Sequence, residues 1–353
     1  MGPVNHYKEH YIQTGATARE ALKILDQLPD NDTRTLLVLD GNKMVGTLTD
    51  GDIRRGLLSD REISEEVSLY MNRNFKSIKR DDIRPEILKR YRESEIWFLP
   101  VLNDDQEIDH VINLKSLRTV IPAAALIMAG GRGERLRPLT EELPKPMLKV
   151  GHKPIIETNI DRLILFGIKK FYISVRYLGE KIVEHFGDGS GKGIDIEYLE
   201  ENEPLGTLGA CSLINELKYD QLLVMNSDIL TNIDFEDFFN FYQTNDALMC
   251  AASIPYNVKI PYGIMKMDER NCITGLVEKP TYTYYANAGI YLLHKNLLNR
   301  IPSNQLFNAT DLMQQLIDEC ERLVHYPILQ YWLDIGKYED YVKAQEDFKH
   351  IKF

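Results

Sequence analysis

The chain has 353 residues, of which 44% are apolar and 27% charged, a composition typical of soluble globular proteins with two domains or one large one. A net charge of −11 argues against nucleic acid as a partner, because phosphate backbones select basic surfaces. Four separated cysteines without C-x-x-C spacing indicate a reducing compartment and no zinc site. No signal peptide or bilayer-spanning run is evident, so we expect a cytoplasmic protein without a membrane partner.

The first third of the chain predicts two copies of one unit, each built as helix, strand, turn and strand. Thr17 to Glu20 has the pattern of a capping box, and apolar residues at helical spacing follow it. The strands of the two copies are expected at 36–39, 44–48, 96–102 and 110–114, and the second helix near 87–91. A change of pattern before Pro122 predicts two domains, 1–120 and 121–353.

The run G-T-L-T-D-G-D-I-R-R ends the first copy at residues 46–55. It resembles the end of a cystathionine-β-synthase (CBS) repeat, in which a hydroxyl and a carboxylate contact a nucleotide ribose. The resemblance implies a regulatory site for an adenine nucleotide at Thr49 and Asp52. Asp52 could instead cap a helix expected at 53–58, and the second copy lacks the pair, so a purely architectural or dimerising role stays open. CBS pairs often self-associate, which implies a homo-oligomer.

Residues 123–156 carry the most informative pattern of the chain. The apolar run 123–128 ends abruptly in glycine, which is typical of a buried parallel strand. Glycines then allow the backbone to approach an anion, arginines follow, and Lys145 stands between two prolines that fix its backbone. The glycines are Gly130, Gly131 and Gly133, and the arginines are Arg132, Arg135 and Arg137. Together these features predict a polyphosphate-binding loop, with a solvated basic loop as the alternative.

This loop differs from two common phosphate-binding motifs. It lacks the G-x-x-x-x-G-K-[ST] pattern of a P-loop. It also lacks G-x-G-x-x-G, since Leu136 stands in place of the third glycine. Another glycine-rich run, 187–193, joins an expected helix to an expected strand, so no helix N-terminus could face a ligand there, and we interpret it as a turn.

Strands and helices alternate after residue 123, which predicts an α/β fold with a doubly wound, mainly parallel, Rossmann-like sheet, preceded by the smaller α+β CBS pair. The expected strands are 123–128, 170–175, 194–199 and 222–225, and the expected helices are 155–166, 180–186, 208–217 and 338–348. Asp228 follows the strand at 222–225, where the ligand crevice of such a sheet lies. Beside bound phosphates it would hold Mg²⁺, and helix or turn capping before Ile233 is the alternative.

The run G-G-x-G-x-R-L-x-P-L-T, followed by P-K-P, closely resembles the signature of the sugar-1-phosphate nucleotidyltransferases. Further motifs stand in the order of that family, namely P-L-G-T-L-G-A, Y-G-I, E-K-P, N-A-G-I and W-L-D-I-G. The resemblance implies catalysis by Arg135, Lys145 and Asp228, with Mg²⁺ held by Asp228 and Asp334. The implied nucleotide-binding residues are Ala129, Gly130, Gly131, Gly133, Arg135, Asn202 and Gly206. The implied sugar-phosphate-binding residues are Lys145, Gly263, Glu278, Lys279 and Asn287.

The motifs around this site are compatible with more than one base. P-L-G-T resembles the base- and sugar-facing loop of guanylyltransferases and related enzymes. Asn202 and Glu203 are candidates to read base edges, although the carboxylates at 200, 201 and 203 are more typical of an acidic surface. G-G-R-G-E-R also resembles uridylyltransferases of cell-wall sugar recycling, so dTTP, UTP or CTP stay open as substrates.

The expected substrates are a nucleoside triphosphate, with GTP favoured, and a sugar-1-phosphate. A CBS pair joined to this transferase resembles guanylyltransferases that act on glucosamine-1-phosphate in bacterial legionaminic acid synthesis. An alternative of another class is a nucleotide-sensing regulator with an inactive transferase domain. The presence of all five charged residues of the signature weighs against that alternative, namely Arg135, Lys145, Asp228, Lys279 and Asp334.

Overall fold

A computed structural model of the protein describes residues 7–29, 33–115 and 117–351. The chain forms two compact units, one made of Met1–Ile121 with Leu165–Gly167 and the other of Pro122–Ile164 with Ile168–Phe353. Within the described ranges, no helix combines the length and the apolar character that crossing a membrane requires.

The first unit contains two three-stranded sheets of the same plan. One has the order β1-β2-β3 and the other β4-β5-β6, each with a parallel pair followed by an antiparallel pair. The strands are β1 Tyr11–Gln13, β2 Thr35–Asp40, β3 Lys43–Thr49, β4 Ile78–Lys79, β5 Phe98–Leu102 and β6 Ile108–Asn113. The helices are α1 Ala18–Gln27, α2 Asp50–Leu57 and α3 Pro85–Glu93. The expected repeat of helix, strand, turn and strand is therefore present.

The capping box expected before α1 is formed. The Glu20 carboxylate accepts a hydrogen bond from the Thr17 N–H at 2.8 Å, and the Glu20 N–H donates to the Thr17 hydroxyl at 3.3 Å. Reciprocal bonds of this kind satisfy N–H groups that have no partner inside the helix. The apolar face of α1 then packs with strand β2, where Ala21, Leu25 and Leu36 share one buried cluster.

The second unit is built on a seven-stranded sheet of order β11-β10-β7-β12-β17-β14-β18, in which only β17 runs antiparallel to its neighbours. Its strands are β7 Ala123–Met128, β10 Lys170–Val175, β11 Asp195–Glu200, β12 Gln221–Asn226, β14 Met249–Lys259, β17 Thr281–His294 and β18 Leu323–Pro327. The smaller strands are β8 Lys149–Val150, β9 Lys153–Pro154, β13 Ile229–Thr231, β15 Ile264–Met267, β16 Ile273–Val277 and β19 Trp332–Asp334. The helices are α4 Ile155–Leu165, α5 Gly179–Phe186, α6 Gly206–Gly209, α7 Phe235–Thr244, α8 Ala309–Asp318 and α9 Tyr338–Asp347.

Strand β7 lies inside this sheet, between β10 and β12. Its first five residues are buried, as expected for a strand covered on both faces. Met128 at its end is paired with Ser174 of β10 and Asn226 of β12. Because these strands are parallel, the loops that follow them all leave from the same edge of the sheet. The predicted doubly wound, mainly parallel sheet is confirmed.

One predicted helix is wrong in length. The helix expected at 208–217 is only the four-residue α6 followed by a 3₁₀ turn, Ala210–Leu213, and the chain is extended at Ile214. The N–H groups of Leu208 and Gly209 donate to the carbonyl of Phe307 at 2.9 and 3.0 Å. These hydrogen bonds to a distant segment take the place of hydrogen bonds within a helix. Tertiary contacts therefore override the longer helix that the apolar spacing predicted.

Candidate active site

The glycine loop leaves the carboxyl end of β7 and closes on the segment that carries Lys145. Gly133 has a φ of +64°, a left-handed conformation that favours glycine. A Cβ added there would lie 2.8 Å from the Cβ of Lys145. The Thr140 hydroxyl fastens the loop by donating to the Gly133 carbonyl at 2.8 Å. Gly133 therefore allows a contact that a larger residue would prevent.

The first part of the loop stays open for a ligand. Ala129 is buried, and its N–H donates to the carbonyl of Ser174 at 3.0 Å, which ties the start of the loop to β10. A Cβ added at Gly131 would have no neighbour within 4 Å. A Cβ added at Gly130, in contrast, would lie 3.0 Å from Oε1 of Glu201. The loop thus presents open backbone at Gly131 and leaves no room for a side chain between Gly130 and the Glu201 carboxylate.

Lys145 and Asp228 are brought together from distant parts of the sequence. Lys145 is only 8% exposed and begins the 3₁₀ helix Lys145–Met147 after Pro144. Its ammonium forms an ion pair with the Asp228 carboxylate. Both predicted catalytic groups therefore lie at the carboxyl edge of the sheet, beside the glycine loop.

Asp334 is held next to Asp228 by strand pairing. It is the register partner of Ile229, the residue after Asp228, and the N–H of Ile335 donates to the Asp228 carbonyl at 3.1 Å. Burial raises the pKa of Asp334, and the negative charge of Asp228 raises it further, while Lys145 and Arg135 act in the opposite direction. Two carboxylates crowded in this way favour a cation between them.

Arg135 completes this charged cluster. A Cβ added at Gly336 would lie 3.6 Å from Nη1 of Arg135 and 3.5 Å from Oδ2 of Asp334. The guanidinium and the carboxylate thus flank the same backbone position. The structure therefore brings together Arg135, Lys145, Asp228 and Asp334.

The carboxylate pair fits Mg²⁺ that arrives with a substrate. Across the described ranges, no group of three or more His, Cys, Asp or Glu residues is arranged to hold a metal ion. Mg²⁺ commonly binds through one or two carboxylates together with substrate phosphates and waters, and does not need a complete protein cage. Asp228 and Asp334 supply two such carboxylates. Without a metal ion, the ammonium of Lys145 balances the charge of Asp228.

A cleft of about 270 Å³ lies where β7, β10 and β11 end. It is lined by Met128, Gly130, Gly131, Arg176, Glu201, Pro204, Gly206, Thr207 and Asn308. Gly206 has a φ of +75°, and a Cβ there would lie 2.6 Å from Oδ1 of Asn308, so only glycine fits this wall. The predicted nucleotide-binding glycines at 130, 131 and 206 thus share one cleft.

The two residues that the sequence offers as candidates to read the base do not line this cleft. Asn202 does not line this cleft; it is exposed and lines a neighbouring cleft of about 630 Å³. Glu203 is exposed as well. Glu201, interpreted from the sequence as part of an acidic surface, is instead buried and lines both clefts. Burial of a single carboxylate within an acidic run leaves no periodic signal in the sequence.

Arg176 is a second residue that the sequence interpretation missed. It follows β10 and lines both clefts. Its Nε is buried without a hydrogen-bond partner. A cationic side chain at the carboxyl end of a parallel strand is positioned to meet an anionic ligand. The only sequence signal for Arg176 is its position directly after strand β10. In the sheet, β10 lies two strands from β12, the strand that precedes Asp228.

Apart from Lys145, the predicted sugar-phosphate residues lie in two places. Ile264 is paired with Val277 in the β15–β16 hairpin, so Gly263 and Glu278 are neighbours, and a Cβ at Gly263 would lie 2.9 Å from Oε2 of Glu278. The side chains of Glu278 and Lys279 are 77% and 69% exposed, and 4.0 Å separates their charged atoms. They are available to a ligand.

Asn287 lies on β17, beside β12. Its Oδ1 accepts hydrogen bonds from the Gly289 N–H and the Tyr291 hydroxyl, each at 3.0 Å. A Cβ at Gly289 would lie 2.7 Å from Nδ2 of Asn226, which ends β12 two residues before Asp228. The part of β17 that follows Asn287 therefore borders the segment that carries the charged cluster. Within the described ranges, no hydrogen bond joins Asn287 to that cluster.

In the first unit, Thr49 and Asp52 form the capping box of α2. The Asp52 carboxylate accepts from the Thr49 N–H at 2.8 Å and from its hydroxyl at 2.7 Å, while the Asp52 N–H donates to Thr49 Oγ1 at 3.2 Å. Arg55 donates to the other carboxylate oxygen at 2.5 Å. Thr49, not Asp52, is the N-cap residue, and both side chains already have partners.

A mainly parallel sheet with a glycine loop, a clamped lysine and two carboxylates at its carboxyl edge defines a nucleotide-binding α/β protein. The chain belongs to the nucleotidyl transferase family, whose model matches residues 124–350. A CBS domain model matches residues 6–59. The family expected from the sequence motifs is confirmed.

Three relatives illustrate the similarity. Mannose-1-phosphate guanylyltransferase of Mycobacterium tuberculosis is 30% identical over 63% of this chain, which covers 64% of that protein, so the chain spans about three-fifths of the relative's length. HddC from Yersinia pseudotuberculosis, crystallised with GMP-PN, has a TM-score of 0.50 and 26% identity, covering 64% of this chain and 99% of that one. A putative glucose-1-phosphate thymidylyltransferase from Bacillus anthracis, in complex with a sucrose, shares the fold, with a TM-score of 0.53 and 23% identity over 65% of this chain and 97% of that one.

Proposed function

We propose that this protein transfers a nucleotidyl group from a nucleoside triphosphate to a sugar-1-phosphate, releasing pyrophosphate and a nucleoside diphosphate sugar. The observation that carries the proposal is the cluster of Arg135, Lys145, Asp228 and Asp334 beside the glycine loop. Two cations and two carboxylates at one edge of the sheet suit a reaction between two polyanions.

The chemistry requires positioning and positive charge more than proton transfer. An oxygen of the sugar-1-phosphate is already anionic and attacks the α-phosphorus directly, so no general base is needed. Lys145 would give up its ion pair with Asp228 and bind the attacking phosphate in its place. Arg135 would stabilise the triphosphate and the departing pyrophosphate. Fixed charges of this kind are each worth about 10²-fold in rate, because they require no reorganisation during the reaction.

Mg²⁺ is the proposed cofactor, held by Asp228 and Asp334. When bound, it would neutralise phosphate charge and help align the α-phosphate. The protein's contribution is to keep the two carboxylates adjacent through the β13–β19 pairing and to balance their charge with Lys145 while no metal is present.

GTP is the favoured triphosphate and glucosamine-1-phosphate the favoured sugar phosphate. Guanylyl transfer is supported by the name of the Mycobacterium tuberculosis relative and by the GMP-PN complex of HddC. The first of these is named for mannose-1-phosphate, whereas glucosamine-1-phosphate rests on the CBS pair joined to this transferase. With that sugar, the product would serve bacterial surface-glycan or nonulosonic acid synthesis, such as that of legionaminic acid. The four free cysteines favour a reducing, cytoplasmic location.

For the CBS unit we propose a regulatory role, with an adenine nucleotide near Thr49 and Asp52 and self-association of the chain. The match of the CBS model to residues 6–59 supports this role. Because both side chains cap α2, a ribose would have to share or replace the Thr49–Asp52 hydrogen bonds.

Pyrophosphate release tests the proposed function directly. The purified protein is assayed with Mg²⁺ against GTP, dTTP, UTP and CTP, each combined with glucosamine-, mannose- and glucose-1-phosphate. Release with GTP and glucosamine-1-phosphate is the expected result, and release with another pair would change the substrates and keep the reaction. No release with any pair would overturn the proposal and favour a nucleotide-sensing protein.

A further inference from the structure

A histidine, a serine and a tyrosine form a cluster on three neighbouring strands of the seven-stranded sheet, β17, β14 and β18. Ser253 of β14 is 5% exposed, and its hydroxyl shares a hydrogen bond with Nδ1 of His325 on β18, at 3.1 Å. The ring of Tyr285 on β17 lies 4.9 Å from the imidazole ring, centre to centre. Both His325 and Tyr285 are exposed. A buried hydroxyl and an aromatic ring thus fix the position of an exposed imidazole.

This cluster lies beside Asn287, one of the predicted sugar-phosphate residues. Asn287 is the register partner of Ser253, so the two side chains lie on the same face of the sheet. Because β14 lies between β17 and β18, about 10 Å separates the backbone at Asn287 from the backbone at His325. One hexose bound at Asn287 can span that distance with its ring and its hydroxyl groups. Ser253, Tyr285 and His325 all lie outside the sequence motifs that predicted the site.

The atoms that these residues leave available suit a ligand with hydroxyl groups. Oδ1 of Asn287 already accepts two hydrogen bonds, whereas its Nδ2 has no partner among the described residues. Within the same ranges, Nε2 of His325 has no hydrogen-bond partner either. A sugar hydroxyl both donates and accepts, so it can bond to Nε2 in either tautomer of the imidazole. The exposed ring of Tyr285 offers an apolar surface to the C–H groups of a sugar ring.

We propose that His325 and Tyr285 select the sugar of the sugar-1-phosphate: Nε2 of His325 bonds to a hydroxyl group away from the phosphate, and the Tyr285 ring packs against the sugar ring. This inference rests on the proposed function, since it takes a sugar-1-phosphate as the ligand at Asn287. The phosphate stays with Lys145 and Lys279, so the cluster meets the part of the substrate in which hexoses differ. A site that bonds a hydroxyl rejects analogues that lack it, because its own polar group is then left unpaired.

Two variants of the full chain, each with a matched control, test the proposed contacts. Tyr285→Ala is compared with Tyr284→Ala, because Tyr284 is similarly exposed, 60% against 56%, but follows the strand alternation to the opposite face. His325→Ala is compared with His350→Ala, which removes another exposed histidine. Initial rates of pyrophosphate release with the substrates that the wild type uses best give separate KM values for the sugar-1-phosphate and the triphosphate.

In His325→Ala and Tyr285→Ala the KM for the sugar-1-phosphate should rise about tenfold, the usual loss for one hydrogen bond or one packed ring. The KM for the triphosphate should stay unchanged, which a general loss of folding would not allow. Both control variants should keep the wild-type constants.

Deoxy sugar-1-phosphates then identify the hydroxyl group. The wild type should use one of the 3-, 4- and 6-deoxy analogues about tenfold less well in kcat/KM, and His325→Ala should lose that discrimination. An unchanged KM for the sugar-1-phosphate in both variants, or the same discrimination in wild type and His325→Ala, would overturn the inference and leave the proposed function standing. No pyrophosphate release by the wild type would overturn both.

Discussion

The ammonium of Lys145 is paired with the carboxylate of Asp228, although 83 residues separate the two along the chain. Their side chains are only 11% and 22% exposed, so each charge depends on the other when no ligand is bound. Such a pair is held ready for exchange, because a phosphate can replace Asp228 at the lysine while a cation replaces Lys145 at the aspartate. This exchange underlies the first prediction.

Replacing Asp228 with Asn should lower pyrophosphate release by about 10²-fold or more, because the change removes the charge that we propose holds the metal and that pairs with Lys145. The measurement is the initial rate at matched Mg²⁺, with Asp195→Asn as the control for loss of a carboxylate, since the Asp195 side chain is 72% exposed. If Asp228→Asn kept nearly full turnover, Asp228 could not be the metal ligand.

Replacing Arg135 with Ala should reduce kcat by about 10²-fold, with a smaller effect on the KM for the sugar-1-phosphate, because in the proposed reaction its charge acts on the triphosphate and the leaving pyrophosphate. Arg270→Ala removes an exposed arginine from the β15–β16 turn and should leave both constants unchanged. A change confined to the KM for the sugar-1-phosphate would instead place Arg135 at the sugar end of the site.

Replacing Gly133 with Ala should lower both the melting temperature and the rate. The alanine would need a φ of +64° and would place its Cβ 2.8 Å from the Cβ of Lys145. The control is Gly191→Ala, since a Cβ there has no neighbour within 4 Å. Gly191 belongs to the glycine-rich run that we interpret as a turn, so its variant should keep full activity. Lost activity in Gly191→Ala would contradict that interpretation.

Local patterns predicted the frame of the site well. The apolar run ending in glycine gave the central strand β7, and the prolines beside Lys145 indicated a fixed backbone, because both signals come from neighbouring residues. The sequence motifs also predicted that Asp228 and Asp334 belong to one site, and the β13–β19 pairing places them side by side.

What the sequence did not reveal depends on distant contacts. Glu201 is buried because the loop at Gly130 packs against it, and nothing in the acidic run distinguishes it from the exposed Asn202 and Glu203. The short α6 likewise results from hydrogen bonds to Phe307, roughly a hundred residues further along the chain. Contacts of this kind appear only when the whole sheet is assembled.

Replacing Glu157 with Gln should destabilise the second unit at neutral pH. Burial by itself would raise the pKa of Glu157, but hydrogen bonds from Lys192 and His185, each 2.8 Å long, lower it overall. A pKa below that of the unfolded chain means that the ionised form stabilises the fold above about pH 4.5, and this contribution is lost as the pH falls through the lower, folded value.

Thermal melting measured from neutral pH to below about pH 4.5 tests whether the ionised form of Glu157 stabilises the fold. The melting temperatures of wild type and Glu157→Gln should differ at neutral pH and converge below about pH 4.5. Glu269→Gln, an exposed change in the β15–β16 turn, should show no such convergence. A constant difference at every pH would mean that Glu157 contributes packing and not charge.

The CBS unit offers a matched pair of variants for its proposed ligand site. Asp52→Ala and Glu20→Ala each remove the carboxylate of a capping box, at α2 and α1 respectively, so each should lower the stability of its helix in the same way. Only Asp52 belongs to the proposed ribose site. Isothermal titration with ATP and AMP should therefore show binding by the wild type and Glu20→Ala, and a loss of at least tenfold in affinity for Asp52→Ala. Equal affinity in all three proteins, or no binding by the wild type, would leave Thr49 and Asp52 with the capping role alone.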